Sequence, residues 1–203
     1  RCSNKVYLAE LLGRHKIPMP KSLVVHRDNL DQIGAELGFP CVLKQPDSSF
    51  SAGVRKVQTR EELEFHVDEM LKRSDLVVAQ GFVPTDFDWR IGIVDGQPLF
   101  ACRYFMADGH WQIMKRDEGG KLMDYGRYET LPVEMAPTKV VKAALKSTAP
   151  IGKGLYGVDL KEVGGRVYMI EVNDNPNIDA GFEDEVLGDD LYLRIMRTFL
   201  ARV

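Results

Sequence analysis

The chain has 203 residues, 44% hydrophobic and 28% charged, with a formal net charge of −3; this allows one substantial domain or two small lobes and supplies no basic field for nucleic acid. Three cysteines, Cys2, Cys41 and Cys102, are odd in number and widely spaced, which argues against a disulfide framework or a zinc pattern and fits a reducing, cytoplasmic compartment. No apolar run approaches the ~20 residues of a membrane span and no segment has the layout of a signal peptide, so neither membrane nor nucleic acid is an expected partner.

The first residue is Arg1, which points to a chain excised from something longer. Residues 3–14, SNKVYLAELLGR, place Val6, Leu8, Leu11 and Leu12 close to helical spacing, with Ser3 as the cap and Gly13 as the stop. HKIPMPKSLVV turns through two prolines into a short strand at 22–26, and a second helix is expected over 28–38. FPCVLKQP reads as a strand entered through Pro40 and closed by Pro46. The small, flexible DSSFSAGV (47–54) follows, then a strand-like RKVQT. Thr59 with Glu62 three residues on is a capping-box pattern opening a helix at 60–73, and DLVVAQGFV is another strand.

From residue 86 the pattern becomes that of a sheet. DWRIGIVDGQPLFACRYFM is a hairpin turning at Asp95-Gly96. A long polar stretch over 107–136 receives no element, and a helix follows at about 137–149. GLYGVDLKEVGGRVYMIEVN is a second hairpin, turning at Gly164-Gly165, and the last helix spans 188–201. The whole reads as α+β with two lobes: 1–82 holds helices and a small sheet, and 83–203 holds a larger antiparallel sheet. QGFVPTD is the expected hinge, and a cleft at such a junction is a usual place for a ligand.

The stretch YMIEVNDNPNID (168–179) ends a strand in Glu171 and crowds its end with amides and carboxylates. Asn, Asp and Pro form polar turns; the same oxygens suit a hard cation such as Mg2+. Glu171 and Asn173 differ by two and share a face. The turn at 164–165 sets Asp159 beside 169–171, and a one-residue bulge or register shift would add it to that face. Two converging carboxylates call for a cation, or for a lysine such as Lys161 to neutralise them. Lys44, at the end of an apolar strand, either snorkels to solvent or addresses an anion. The hydroxyl-rich SSFSAGV beyond it could close its backbone N–H groups over phosphates, although it has neither GxxxxGK[ST] nor GxGxxG.

Together these segments make a family resemblance. In NKVYLAELLGRHKIPMPKS, VLKQPDSSFSAGV, VVAQGFV, DWRIGIVDG, YGVDL and EVNDNPN, over nearly all 203 residues, the chain resembles an ATP-grasp ligase domain of the RimK and glutathione-synthase-like branch. The step of twelve from Asp159 to Glu171, and two more to Asn173, is that of the family's metal triad. The resemblance implies an ATP-grasp fold of two lobes with a nucleotide cleft between them, and ATP with Mg2+ (or Mn2+) as cofactors. It implies that Lys5 and Lys44 contact the nucleotide phosphates, with 48–53, including Ser49 and Ser51, as a lid. Gln80, Phe82 and Val83 would sit at the hinge where backbone groups read adenine, and Asp88 would face the ribose. Asp159, Glu171 and Asn173 would hold one or two Mg2+ ions. Arg90 and Arg103 would extend into the cleft, with Arg103 stabilising the transferred phosphate.

Where the RimK branch carries an Arg-Ser-Asn stretch, this chain has HWQIMKRDEGG (110–120). Gln112 and Lys115 are the expected substitutes there, and Asn177 is a further residue expected toward the substrate. The implied reaction is ATP-dependent carboxylate–amine ligation through an acyl phosphate, joining an amino acid to a peptide or amino-acid derivative. The expected partners are then a small-molecule or peptide substrate with free carboxylate and amine, and a preceding domain of the same chain; a homo-oligomer is compatible with the sequence. A small-molecule kinase on the same fold and a non-catalytic ATP-binding module are the rival readings.

Overall fold

In the computed structural model, which describes residues 2, 4–46, 53–117 and 121–203, the chain divides into two units, Arg1–Val83 and Pro84–Val203. The first begins with α1 (Lys5–Arg14), capped by Asn4, whose side chain accepts from the Tyr7 N–H at 3.0 Å. The expected cap, Ser3, lies outside the described residues. Four short strands, β1 (Ser22–Val25), β2 (Cys41–Lys44), β3 (Val54–Val57) and β4 (Val77–Gly81), form a sheet of order β1-β4-β2-β3. Every neighbouring pair in it is antiparallel.

Strand alternation explains its core. Val25, Cys41, Leu43, Val57 and Ala79 are fully buried and cluster with Ile33 of α2 (Leu30–Leu37) and with Leu63 and Val67 of α3 (Arg60–Leu71). Fully burying each of the larger aliphatic side chains stabilises by roughly 1.5–3 kcal/mol relative to exposure. Helix α3 starts as its sequence dictates: Thr59 Oγ1 accepts from the Glu62 N–H at 3.3 Å, and the Glu62 carboxylate reaches back to the Gln58 N–H at 2.8 Å. Val42 and Lys44 alternate with Cys41 and Leu43, so they point to the face away from this cluster.

The second unit is built on a five-stranded antiparallel sheet, order β11-β10-β5-β6-β9. Its strands are β5 (Phe87–Val94), β6 (Gln97–Phe105), β9 (Tyr128–Leu131), β10 (Leu155–Val163) and β11 (Arg166–Asn173). Both hairpin turns fall where Asp-Gly and Gly-Gly place them: Asp95 and Gly96 have φ of 51° and 75°, Gly164 and Gly165 56° and 78°. Helix α4 (Thr138–Thr148) packs against β5, β6, β10 and β11. Phe100, Cys102 and Tyr104 cluster with Leu191 of α5 (Asp189–Leu200).

The polar stretch 107–136, read from the sequence as having no element, holds three strands. β7 (Met114–Arg116) and β8 (Leu122–Tyr125) form a separate two-stranded ribbon, and β9 adds to the edge of the large sheet. Polar composition hid β9, because half of Tyr-Glu-Thr-Leu serves each face of an edge strand rather than a continuous apolar run.

Two one-residue bulges decide which side chains share a face. In the β5–β6 ladder the register shifts beyond Gly92, leaving Leu99 as the extra residue. In the β10–β11 ladder it shifts beyond Leu160, leaving Ile170 as the extra residue. A single-residue shift exchanges the two faces for everything past it.

Candidate active site

The β10–β11 bulge sets Asp159 opposite Glu171, where an unbroken ladder would have set it opposite Ile170. Asn173, two residues on from Glu171, joins the same face, and its Nδ2 donates to Asp159 Oδ2 at 3.3 Å. Across the other side of β10, Asp159 pairs in register with Arg90 of β5. The Arg90 guanidinium forks onto the carboxylate, Nε to Oδ1 at 2.7 Å and Nη2 to Oδ2 at 2.9 Å. Burial works against the guanidinium charge, but the charge and hydrogen bonds of Asp159 outweigh it and hold the Arg90 pKa above its ordinary value.

One step along the same face, Lys161 Nζ donates to Asp88 Oδ1 at 2.5 Å and to Thr85 Oγ1 at 2.6 Å. The four charges therefore form a checkerboard, Asp88 and Arg90 on β5 against Lys161 and Asp159 on β10. Lys161 does not neutralise the carboxylates of the expected triad; Arg90 takes that place for Asp159. Desolvation raises the Asp88 pKa, with Lys161 pulling against it. Asp88, expected toward the ribose, is part-buried, and its carboxylate is hydrogen-bonded to Lys161 and Thr85.

A further layer came with no sequence signal. Tyr104, on the same face as Arg90, donates its hydroxyl to Glu183, a carboxylate only 3% exposed. Glu183 Oε2 also accepts the Asp179 N–H at 2.8 Å, and the Arg90 guanidinium lies 5.4 Å from the Tyr104 ring centroid. Thr130 and Tyr128 of β9 donate to the Phe182 and Gly181 carbonyls, each at 2.8 Å. The segment after the asparagine-rich loop is thus fastened to the Arg90 face. Glu183 sits in GFEDE, which reads as a solvated acidic surface; only its partner across the sheet reveals its burial.

Arg103 is not brought to this face. With an unbroken ladder Arg90 would stand opposite Ala101, and Arg103 would share its side of the sheet. The bulge at Leu99 sets Arg90 opposite Cys102 and Arg103 opposite Trp89 and Glu129. Arg103 is ion-paired with Glu129 and lies over the rings of Phe87, Trp89 and Phe105 at 5.4–5.9 Å. Arg103, expected at the transferred phosphate, thus lies on the face of the sheet opposite the Arg90–Asp159 pair.

Gln112 lies just before β7 and Lys115 within it. Gln112 is bonded through its backbone to Ala107 and to His110 Nδ1, and Lys115 is exposed on β7 opposite Asp124. Asn177 is exposed in the loop beyond β11.

In the first unit, Lys44 and Gln80 do meet. Lys44 Nζ donates to Gln80 Oε1 at 2.8 Å, and Gln80 Nε2 donates to Ser22 Oγ at 3.0 Å, on the sheet face away from α2 and α3. Lys5 opens α1, and its N–H bonds the Pro46 carbonyl at 3.0 Å, two residues past Lys44. Phe82, just beyond β4 and followed by Val83, has Lys56 Nζ 4.9 Å from its ring centroid. Residues 47–52, with Ser49 and Ser51, lie outside the described residues.

A family model described as RimK-like ATP-grasp domain matches residues 2–198. The chain belongs to that family. This RimK-like ATP-grasp domain is 26% identical over 187 residues to the alpha-aminoadipate–LysW ligase LysX of Saccharolobus solfataricus, covering 87% of this chain and 62% of the relative. It therefore spans under two thirds of that relative's length. Among solved structures, D-alanine–D-alanine ligase from Bacillus anthracis superposes with a TM-score of 0.77 at 23% identity, over 98% of this chain and 68% of that one. The ATP-grasp ligase PsnB, solved with Mg and ADP, superposes with a TM-score of 0.67 at 21% identity, over 97% of this chain and 58% of that one. These likenesses show an α+β ATP-grasp fold.

The donor set on the Arg90 face fits a hard divalent cation. Among the described residues no group of three or more His, Cys, Asp or Glu side chains could hold a metal. A site here would take two carboxylates, Asp159 and Glu171, and the Asn173 amide, which can turn its Oδ1 toward Asp159. Three protein oxygens suit a cation that keeps water and phosphate as further ligands.

Proposed function

We propose that this domain is the catalytic part of an ATP-dependent carboxylate–amine ligase that joins an amino acid to a peptide or amino-acid derivative. The observation that carries this reading is the bulged β10–β11 hairpin, which gathers Asp159, Glu171 and Asn173 on one face beside Arg90 in a RimK-like ATP-grasp domain. In the reaction, a carboxylate oxygen of the substrate attacks the γ-phosphorus of ATP, forming an acyl phosphate and releasing ADP. An amine nitrogen then attacks the acyl carbon; the C–N bond forms, phosphate departs and the amine proton passes to solvent.

Positioning and charge stabilisation do most of the work in phosphoryl transfer, so no serine or cysteine nucleophile is needed. Asp159, Glu171 and Asn173 would hold Mg2+, which when bound neutralises charge on phosphoryl oxygens. Arg90 replaces Arg103 as the sheet arginine set to bind a phosphoryl or carboxylate group, since it lies on the triad's face. Lys44, steadied by Gln80, and Lys5 address the nucleotide phosphates; Phe82 and Val83 with Gln80 read the adenine through backbone groups. No helix among the described residues is long and apolar enough to cross a membrane, and a cytoplasmic enzyme acting on small molecules or peptides is consistent with that.

The test is incubation of the full-length protein with ATP, Mg2+ and pooled amino acids and peptides, followed by mass spectrometry. ADP together with a condensation product lighter than its components by one water is the expected result. ADP with a phosphorylated product and no dependence on amine would overturn it in favour of a kinase, and nucleotide binding without ADP would leave a binding module.

A further inference from the structure

Asp159 is the central oxygen donor of the proposed cation site, yet both of its oxygens already accept hydrogen bonds from Arg90, at 2.7 and 2.9 Å, and one accepts a third from Asn173. An ionised carboxylate has about four acceptor positions, so this pairing occupies the two that a guanidinium fork uses best. A divalent cation on Asp159 would compete for those oxygens and would be repelled by the guanidinium at the same time. The neighbouring Lys161 cannot relieve this by exchanging partners, because Asp88 and Thr85 hold it at 2.5 and 2.6 Å. A guanidinium that forks onto a carboxylate can fork equally onto a phosphate.

We propose that Arg90 is a built-in counter-cation: it holds Asp159 in the nucleotide-free protein, opposes divalent-cation binding there, and passes its fork to a nucleotide phosphate so that metal and nucleotide bind together. This rests on the assignment of Asp159, Glu171 and Asn173 to the cation site. It makes Arg90 a coupling residue between two ligands rather than a simple substrate contact. The coupling is reciprocal: whatever factor nucleotide adds to metal affinity, metal adds to nucleotide affinity.

The test is a Mn2+ titration followed by the EPR signal of the free ion, on the full-length protein, with and without a non-hydrolysable ATP analogue. Wild type is expected to bind Mn2+ weakly alone and roughly 5–150-fold more tightly with the analogue, the usual range of coupling between sites. Arg90→Gln is expected to bind Mn2+ at least about fivefold more tightly than wild type without nucleotide, and to lose most of the gain from the analogue. Equal or weaker Mn2+ binding by folded Arg90→Gln, checked by circular dichroism, overturns the proposal. Should that variant unfold, Arg90→Met serves in its place: it keeps much of the apolar stem, carries no charge and cannot fork, and must still tighten Mn2+ binding. Asp159→Asn separates the two levels. If it abolishes Mn2+ binding while the Arg90 variants do not raise it, the role of Arg90 fails alone; if it changes nothing, the cation site fails with it.

Discussion

A Cβ added to Gly157 would lie 2.8 Å from Pro176 Cβ and 3.7 Å from Arg90 Cδ, since the loop after β11 folds back over β10 at this point. Gly157→Ala is therefore expected to push Pro176 and the asparagine-rich loop outward. Overpacking of this kind costs roughly 1–3 kcal/mol, while a displaced ligand set costs turnover about a hundredfold. Calorimetry and steady-state kinetics on the full-length enzyme would show a modest Tm loss with a large fall in kcat; unchanged kcat would detach this loop from the chemistry. Arg103→Ala should behave in the opposite way. It removes the Glu129 ion pair and the stacking over Phe87 and Trp89, at about 1–3 kcal/mol of stability. Turnover by the folded fraction should not change, and a large fall in kcat without loss of Tm would return Arg103 to the reaction.

Strand β9 does its work as an element rather than through any one catalytic side chain. It closes the edge of the large sheet, brings Glu129 to Arg103 on one face, and sends Tyr128 and Thr130 to the Gly181 and Phe182 carbonyls on the other. Tyr128 also stacks on Phe182 with ring centroids 4.2 Å apart. Thr130→Val keeps the shape of the side chain but leaves the Phe182 carbonyl without its donor, a change worth about 1–3 kcal/mol where the group is buried. Hydrogen exchange is expected to quicken at 179–188 while α4 keeps its protection. Uniform quickening across the sheet and α4 would mean that β9 stabilises the whole unit and does not fasten this segment specifically.

At the scale of the whole molecule, the two units have separate cores, and each contains a buried cysteine. Cys41 lies among Val25, Leu43 and Val57; Cys102 lies among Phe100, Tyr104 and Leu191. Burial pushes both thiols up to about 11, so at neutral pH very little thiolate is present to react. Native protein treated with a thiol probe should label both cysteines only as each core opens. Mass spectrometry resolving the two sites then reports whether the units open together or one by one. Fast labelling of either in buffer without denaturant would contradict the packing described for that core.

The sequence by itself determined what depends on neighbours along the chain. Asp95-Gly96 and Gly164-Gly165 specify their turns because both positions need positive φ, Thr59 and Glu62 specify the start of α3, and the apolar run of CVLK between Pro40 and Pro46 specifies a strand. The spacing of Asp159, Glu171 and Asn173 was legible too, and with it the family. What it could not contain was the register past a bulge. Ile170 puts Asp159 on the face of Glu171, and Leu99 takes Arg103 off the face of Arg90. The partners of Asp88 and Glu183 likewise come from strands distant in sequence. Side chains in a strand alternate with a period of two, so one inserted residue reverses every face beyond it. Where that residue is inserted is settled by packing between strands, not by the strand that carries it.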